Sequence, residues 1–407
     1  MARSKEFLLG CLVGGASSFG LFFFIVGIAV SMFSARQSTN SFRQIAEALL
    51  PSGEYDSPEM GVRVNQIGLS GTAMWESPGY GDVTSLASYK NAAGELMIAA
   101  GASDRIRIIH ADTLNVVSEI AVEEEYERLE LLHVNGQDPY IYTAATWGLP
   151  AALFHPDGTL AWSYSIPYGT NIMVPVKIHK DGPVAFAIGG YGEESLHLVD
   201  FSGALVWKEK EESIFNIAPW DVDDDGDQEI VHNNDALQFI LREGDGSELK
   251  RMDIDQYFED FTVVPRPGHA NGSMAVGFEF GDLFSLNAAG EVIRVWEVPN
   301  ADYYDTGKFA IVRLQPGEEQ YLAALLTDYM DSSSMICVMK ADGTLLYQEV
   351  IDPAFSMCVI DATENGGAGI LLGGYDRIMR YSLAGPNAGE RAEVPSAEAV
   401  PSADSAE

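Results

Sequence analysis

Cysteine is scarce in this sequence. Only three of its 407 residues are cysteines, Cys11, Cys337 and Cys358, and none stands at the spacing of a zinc site. Three cysteines cannot build a disulfide framework of the kind found in small secreted domains. We expect Cys337 and Cys358 to be buried strand thiols, while a single bridge between them stays open.

Basic residues are also few, with 24 lysines and arginines against 60 acidic residues and a formal net charge of −36. A nucleic-acid backbone would be repelled almost everywhere on such a surface, so nucleic acid is excluded as a partner. Cations, basic proteins and neutral glycans stay open. A charge excess spread this generally is more typical of a solubility device than of a recognition surface.

The motifs of common enzyme classes are absent. There is no Gly-x-Ser-x-Gly, His-Glu-x-x-His, phosphate-binding loop or dinucleotide fingerprint. The histidines form no close pair that would suggest a metal helix or a catalytic triad; they are His110, His133, His155, His179, His197, His232 and His269. We therefore expect no catalysis. A propeller enzyme, either a quinoprotein or a glycan-active enzyme using paired carboxylates, is the less favoured alternative.

A long apolar run lies near the N-terminus. Phe7 to Phe33 contains no charged residue, and at about 1.5 Å per residue it can cross a hydrocarbon core of about 30 Å. It is longer than the apolar region of a cleaved signal peptide, so it predicts an uncleaved signal-anchor, with cleavage as the alternative. Arg3 and Lys5 in the stub 1–6 predict that this end is cytoplasmic. The rest of the chain would then be periplasmic or extracellular, beginning with a stalk over 34–60.

Residues 61–383 are repetitive. A tight turn followed by an apolar-polar alternation occurs seven times, for example at Asp157-Gly158, Ser202-Gly203 and Asp342-Gly343. Most copies are about 43–45 residues apart, which is the length of one four-stranded propeller blade. A second series of Gly, Asn and Asp turns precedes each copy by about 20 residues, as expected for two hairpins per blade.

The two ends of the repeat complete each other. The first outer-strand motif, Leu69 to Trp75, has no strands before it, and the last unit, Phe355 to Leu383, has only three strands. Pairing them would remove two exposed sheet edges. The sequence therefore predicts an all-β, seven-bladed β-propeller whose N-terminal strand closes the last blade, preceded by one transmembrane helix. An open sandwich or two stacked barrels is the alternative, and 384–407 is expected to be a disordered acidic tail.

The segment Asp221 to Glu229 carries the sharpest chemical signal. Acidic side chains at Asp221, Asp223 and Asp225 are followed by Gly226, Asp227 and Glu229. Oxygen ligands at alternate positions with a glycine at the sixth suit Ca²⁺, which takes 6–8 oxygens. We expect Asp227 to contribute its main-chain carbonyl, and Glu229 or a water to complete the set. The other interpretation is an acidic hairpin that binds nothing.

This loop resembles those of FG-GAP and VCBS-type repeats, in which an Asp-x-Asp-x-Asp-Gly loop lies between the first two strands of a propeller blade. Asp361 to Gly366 looks like a degraded copy, and the resemblance leaves metal binding there open. The Asp-Gly-Thr-Leu-x-Trp motif ending at Trp162, and the related Trp75 and Trp207, resemble PQQ-like repeats. The resemblance implies a propeller fold more than any particular function.

Aromatic residues suggest two roles. Trp75, Trp162 and Trp207 follow tight turns and are expected to pack between blades. Trp147, Tyr303 and Tyr304 lie in irregular segments and are candidates for contact with a carbohydrate or peptide; Trp220 also falls outside the turn pattern. The sequence favours a membrane-anchored scaffold that binds a protein partner and holds a structural calcium ion. A carbohydrate or small-ligand sensor is the second hypothesis.

Overall fold

The computed structural model describes residues 61–122, 128–133, 138–144, 149–253, 261–265, 273–279, 282–287, 291–301, 304–314, 320–328, 333–340, 343–360 and 369–383. The predicted stub, membrane span, stalk and acidic tail lie outside these residues. So do Cys11, Trp147, Tyr303 and the loop Asp361 to Gly366.

Every regular element of the described chain is a β-strand. In chain order the first fourteen are β1 (Gly61–Asn65), β2 (Leu69–Glu76), β3 (Ser85–Lys90), β4 (Leu96–Ala102), β5 (Arg105–His110), β6 (Val116–Ala121), β7 (Arg128–Leu132), β8 (Tyr140–Ala144), β9 (Ala151–Phe154), β10 (Leu160–Tyr164), β11 (Thr170–Val176), β12 (Ala185–Gly190), β13 (Leu196–Val199) and β14 (Leu205–Glu209). The others are β15 (Ile217–Trp220), β16 (Glu229–Asn233), β17 (Gln238–Arg242), β18 (Glu248–Asp253), β19 (Phe261–Pro265), β20 (Ser273–Glu279), β21 (Asp282–Leu286), β22 (Val292–Glu297), β23 (Tyr304–Val312), β24 (Tyr321–Asp328), β25 (Ser334–Met339), β26 (Leu345–Ile351), β27 (Ala354–Ile360), β28 (Gly369–Gly374) and β29 (Arg377–Leu383).

These strands pair into antiparallel sheets, seven in all. Five sheets contain four consecutive strands each: β3–β6, β7–β10, β11–β14, β15–β18 and β19–β22. A sixth joins β23–β26 to β1, and the remaining one joins β27–β29 to β2. In that last sheet Leu69 pairs with Leu383 and Glu76 with Arg377, so the N-terminal strand supplies the edge that the last unit lacks.

The first strand of each sheet lies at the inside of a ring. Strands β11, β15, β19, β23, β27, β3 and β7 follow one another in this ring. Each of the first six contacts its successor, and β8 and β9 of the sheet that contains β7 contact β11. The contact of β27 with β3 joins the last sheet to the first. The arrangement is that of a β-propeller, in which every sheet packs against two others.

The predicted architecture is corrected in the make-up of its sheets. The units are not seven equal four-stranded blades, because β1 adds a fifth strand to β26, where Val62 lies opposite Glu349. Gly61–Asn65 precedes the first outer-strand motif and pairs with β26 because that strand offers an open edge. No helix in the described part of the chain is long and apolar enough to cross a membrane, and the predicted span Phe7 to Phe33 lies outside those residues.

Apolar runs in the second and third strands supply the core. All of Ala185–Gly190 in β12 and of Ser334–Met339 in β25 is buried, as expected for strands covered on both faces. The outermost strands differ, and in β14 Leu205 and Val206 are exposed. Cys337 on β25 is buried and Cys358 on β27 is partly buried, and both thiols are free.

Tryptophans of the outer strands lock neighbouring sheets together. Trp162 on β10 donates its Nε1 proton to the Phe201 carbonyl at 3.0 Å, and Trp207 on β14 does the same to the Gly244 carbonyl at 2.9 Å. The φ of Gly203 is +83°, and a Cβ there would lie 2.7 Å from the Trp162 ring. Only glycine fits this turn. The predicted role of these tryptophans between blades is confirmed.

Candidate metal centre

The acidic loop connects β15 to β16 in one of the four-stranded sheets. Trp220 and Glu229 face each other across the base of this hairpin. Two backbone positions have positive φ, +64° at Asp224 and +93° at Gly226. Both residue types tolerate this conformation better than β-branched residues do, which lets the loop turn back tightly on itself.

Main-chain amides hold the loop in shape. Gly226 N donates to Asp221 Oδ2 at 3.0 Å, Asp225 N to Asp223 Oδ1 at 3.3 Å, and Asp227 N to Asp225 Oδ1 at 2.8 Å. Each of these three carboxylates therefore points into the turn. One oxygen from each of Asp221, Asp223 and Asp225 lies within 4.8 Å of the others.

Asp221 has a second, unsatisfied oxygen. Its Oδ1 is buried and has no hydrogen-bond partner among the described residues. A buried carboxylate oxygen without a partner is uncommon and costly. Together the three side chains form a compact set of hard oxygen donors, the chemistry that Ca²⁺ prefers.

The side chain of Asp227 leaves this group. Its Oδ1 accepts a hydrogen bond from Lys180 N at 2.8 Å, and its Oδ2 lies 3.1 Å from His179 Nδ1. These contacts lower the pKa of Asp227, first through His179 and then through the Lys180 amide. The side chain thus ties the loop to the turn between β11 and β12, and its carbonyl is the group left for the predicted ligand role.

Glu229 supports the loop from below. It is buried at the start of β16, and its Oε2 accepts a hydrogen bond from Val222 N at 2.9 Å. Burial raises the pKa of Glu229, and the charge of Asp223 acts in the same direction. Of the five predicted residues, the structure brings the side chains of Asp221, Asp223 and Asp225 together and gives those of Asp227 and Glu229 other partners.

Sequence reasoning missed the cation beside the loop. Lys180 Nζ donates to the Asp225 carbonyl at 3.2 Å, which places a positive charge next to the carboxylates. The Lys180 to Gly182 turn is visible in the sequence, but its contact with the next sheet depends on how the sheets pack.

A buried ion cluster next to this sheet was missed as well. Glu211, between β14 and β15, pairs with Arg242 of β17, and Arg251 of β18 donates to Glu211 at 2.7 Å. The burial of Glu211 would raise its pKa, yet the hydrogen bonds from Arg251 and Arg242 hold it below the usual value. The cluster joins two neighbouring sheets, and no sequence motif marks it.

One of the aromatic candidates is a core residue. Tyr304 is fully buried and its hydroxyl lies 3.3 Å from Ser333 Oγ, so the prediction that it contacts a ligand is wrong. It begins strand β23, whereas the sequence pattern predicts an irregular segment there. Trp220, which falls outside the turn pattern, is also buried, at the end of β15.

Comparison with known proteins supports the fold. No protein-family model matches the chain, and no curated protein matches it. Among solved structures it is similar to BBS1N in complex with ARL6DN, soaked with lead: the TM-score is 0.58, the identity 12%, and the match covers 80% of this chain and 99% of that one. The mercury-soaked crystal of the same complex has a TM-score of 0.58 at 11% identity, with the same coverage. This likeness is one of fold alone.

Proposed function

We propose that this chain is a non-catalytic β-propeller that binds a protein partner. The observation that carries the proposal is the exposure of apolar side chains on the outer strands of four consecutive sheets: Val116, Val117, Leu160, Leu205, Val206 and Leu249. Contiguous exposed apolar surface is typical of interaction sites, and we propose that these side chains contribute to such a surface. BBS1N, which has a similar fold, was crystallised in complex with ARL6DN, and this likeness supports the same class of function here.

Chemical cross-linking in intact cells tests this proposal. The full-length protein should be recovered with one protein in near-stoichiometric amount, and the two purified components should re-form the complex. A reconstituted complex with a Kd of about 1 µM corresponds to about −8 kcal/mol. Recovery of the chain alone under every cross-linking condition would contradict a protein-binding role.

We further propose that the chain is anchored by Phe7 to Phe33 and that its propeller lies outside the cytoplasm. The uncharged run and the flanking Arg3 and Lys5 support this topology. Protease added to intact cells should release a soluble fragment that begins between Arg36 and Met60. Protein that stays intact unless the cells are broken would place the propeller on the other side.

The loop Asp221 to Asp227 is proposed to bind a structural Ca²⁺. Converging carboxylates and the unpartnered Asp221 Oδ1 support this. Asp221, Asp223 and Asp225 would hold the ion together with the Asp227 carbonyl. Extracellular sites of this kind often bind with Kd near 10⁻⁴–10⁻³ M, so millimolar calcium should stabilise the fold by roughly 0.5–1.5 kcal/mol.

Terbium luminescence offers a direct readout, because Trp220 immediately precedes the loop. Tb³⁺ excited through tryptophan should emit, and Ca²⁺ should displace it. The Asp223→Asn variant should lose both this signal and the calcium-dependent rise in Tm. Asp224→Asn removes the same charge from the same loop outside the converging set, and it should retain both. If the two variants gave the same terbium emission and the same calcium-dependent change in Tm, the loop would be an acidic turn without a calcium site.

A further inference from the structure

The outer edge of β6 is open. Strand β6 ends its sheet, and no described strand lies on its outer side. Val116 is 45% and Val117 is 61% exposed. The turn at Gly158 lies against Ile120 and Ala121, so the free part of the edge runs from Val116 to Glu119.

An outer strand of this ring can accept another strand. Strand β26 does so with β1, which pairs antiparallel to it from Gly61 opposite Val350 to Asn65 opposite Tyr347. Added strands gain affinity from main-chain hydrogen bonds and specificity from pockets that receive alternate side chains. β6 offers the same kind of edge.

A cavity of about 220 Å³ opens beside β6. Val117 and Ile120 of β6 form one side, and Leu131 and Ile141 of the next sheet form the other. The cavity has room for one bulky apolar side chain. A strand laid along β6 could place such a side chain in it, since successive side chains of a strand point to opposite faces.

The charge at this cavity indicates the partner. Asp138 is exposed and is the one carboxylate among the described lining residues, which include no lysine or arginine. Tyr89 also lines the cavity, and burial together with the charge of Asp138 raises the pKa of its phenol to about 12. A tyrosine phenol is uncharged at physiological pH in any case, so Asp138 supplies the charge of the described lining and favours a cationic group on the ligand.

Charge also argues against occupants from this chain. A second copy carries the same net charge of −36. The C-terminal segment 384–407 has five acidic residues and a single base, Arg391. Both would be repelled by an acidic surface, whereas a basic segment of another protein would be attracted.

We propose that β6 binds an extended, basic segment of the protein partner, with one apolar side chain in the cavity and a neighbouring lysine or arginine at Asp138. This inference rests on the proposed protein-binding function. A larger cavity of about 350 Å³ between β26 and β29 does not offer the same site. Its Arg377 already pairs with Asp352 at 2.5 Å, and β26 is covered by β1.

Selection of random twelve-residue peptides displayed on phage, with the full-length protein as target, tests the site. Enriched peptides should contain a large apolar residue close to lysine or arginine. The best peptide, synthesised with a fluorescent label, should bind Val117→Glu about tenfold or more weakly than wild type. Asp138→Lys should weaken it by a similar factor and should favour a version of the peptide with glutamate in place of the base.

Two matched controls separate this site from general effects. Val206→Glu makes the same change at an exposed position of β14, and Glu193→Lys makes the same change of net charge at another exposed acid. Both should bind within about twofold of wild type. Circular dichroism and Tm of each variant verify folding, since all four positions are exposed.

The outcomes distinguish this inference from the proposal on which it rests. Peptides that bind all four variants equally well would overturn the β6 site and leave protein binding intact. If no peptide is enriched while cross-linking yields a partner, the partner recognises another surface, and the β6 site is again wrong. Failure of both experiments would overturn the site and the protein-binding role together.

Discussion

Strands β14 and β26 follow similar turn motifs and are each the fourth strand of their unit in the same ring, yet their side chains have different surroundings. In β14 Leu205 and Val206 are 48% and 51% exposed, whereas in β26 Leu346 is 5% exposed and Tyr347 is fully buried. Strand β1 lies along β26, and β14 has no such neighbour among the described strands. The shared turn motif therefore predicts the hairpin in both places. Whether the side chains of its second strand are buried depends on a separate segment of the chain, here β1.

Alanine substitutions at matching positions of β26 and β14 should give the largest difference in unfolding free energy. Leu346→Ala should lower the free energy of unfolding by about 3–4 kcal/mol, because it leaves a cavity in a packed region. Val206→Ala at the matching position of β14 should cost less than about 0.5 kcal/mol. Urea denaturation at neutral pH measures both. Similar costs for the two variants would show that the added strand does not set the burial.

The contribution of β1 itself can be isolated. Val64 pairs with Gln348 of β26, and Val64→Pro should disrupt that pairing because proline cannot donate a ladder hydrogen bond. In this background Leu346→Ala should cost clearly less than in wild type, which is the coupling expected of residues that share a contact. Strict additivity of the two changes would contradict the dependence of Leu346 on β1.

A second comparison concerns how an uncovered strand is held. Strand β18 has no strand on its outer side in the described chain, and its Arg251 instead reaches Glu211 of the preceding connection at 2.7 Å. Behind it lies His232, fully buried, with Arg242 Nε 3.4 Å from its Nε2. Ion pairs connect β18 to the segment between β14 and β15, whereas β26 is covered by the strand β1. Because the ion pairs depend on protonation, the region around β18 should be the more sensitive to acid.

Acid should therefore weaken the fold through His232. Burial lowers its pKa from the usual 6.5 to about 4, so between these values the unfolded chain binds more protons than the folded one. The stability that the neutral ring contributes above pH 6.5 is lost as the pH falls toward 4, by about 3 kcal/mol in total. Glu211 acts in the same direction, because its lowered pKa gives stability that is lost as the pH falls through that value.

Denaturant unfolding at pH 7 and pH 4 measures this loss. His232→Gln should show a smaller fall between the two conditions than wild type, by about 3 kcal/mol. The cost of Leu346→Ala should be the same at both pH values, since no titratable group changes at that site. An unchanged pH dependence in His232→Gln would assign the acid sensitivity to other groups.

The sequence predicts features that depend on local geometry. The Ser202-Gly203 turn and the tryptophan after it are recognisable because a positive φ requires glycine and because period-two alternation marks a strand. The pairing of Leu69 to Trp75 with the last unit also follows from counting strands. In the acidic loop the convergence of Asp221, Asp223 and Asp225 follows from their alternate spacing.

What the sequence does not reveal depends on neighbours in space. The short stretch Gly61–Asn65 has too few residues for a clear pattern, and its role as a strand is decided by the free edge of β26. The side chain of Asp227 is directed away from the other carboxylates by His179, which lies in the turn between two strands of another sheet. The sequence pattern predicts an irregular segment at Tyr304, yet Tyr304 begins a strand that enters the core. Each of these depends on packing between sheets.

The smallest expected difference in unfolding free energy is between substitutions on the two faces of β14. Trp207 and Leu205 are both on β14, but the Trp207 indole donates to the Gly244 carbonyl of the next sheet at 2.9 Å, whereas Leu205 is exposed. Trp207→Phe keeps most of the ring and removes this donor, leaving the carbonyl to find another partner. Trp207→Phe should lower the free energy of unfolding by about 1 kcal/mol, and Leu205→Ala should lower it by less than about 0.5 kcal/mol.

Urea midpoints of the two variants, measured side by side, compare these two costs. A cost for Leu205→Ala equal to that of Trp207→Phe would mean that the outer face of β14 is covered in the native protein, and that its difference from β26 is one of occupancy by a partner and not one of fold.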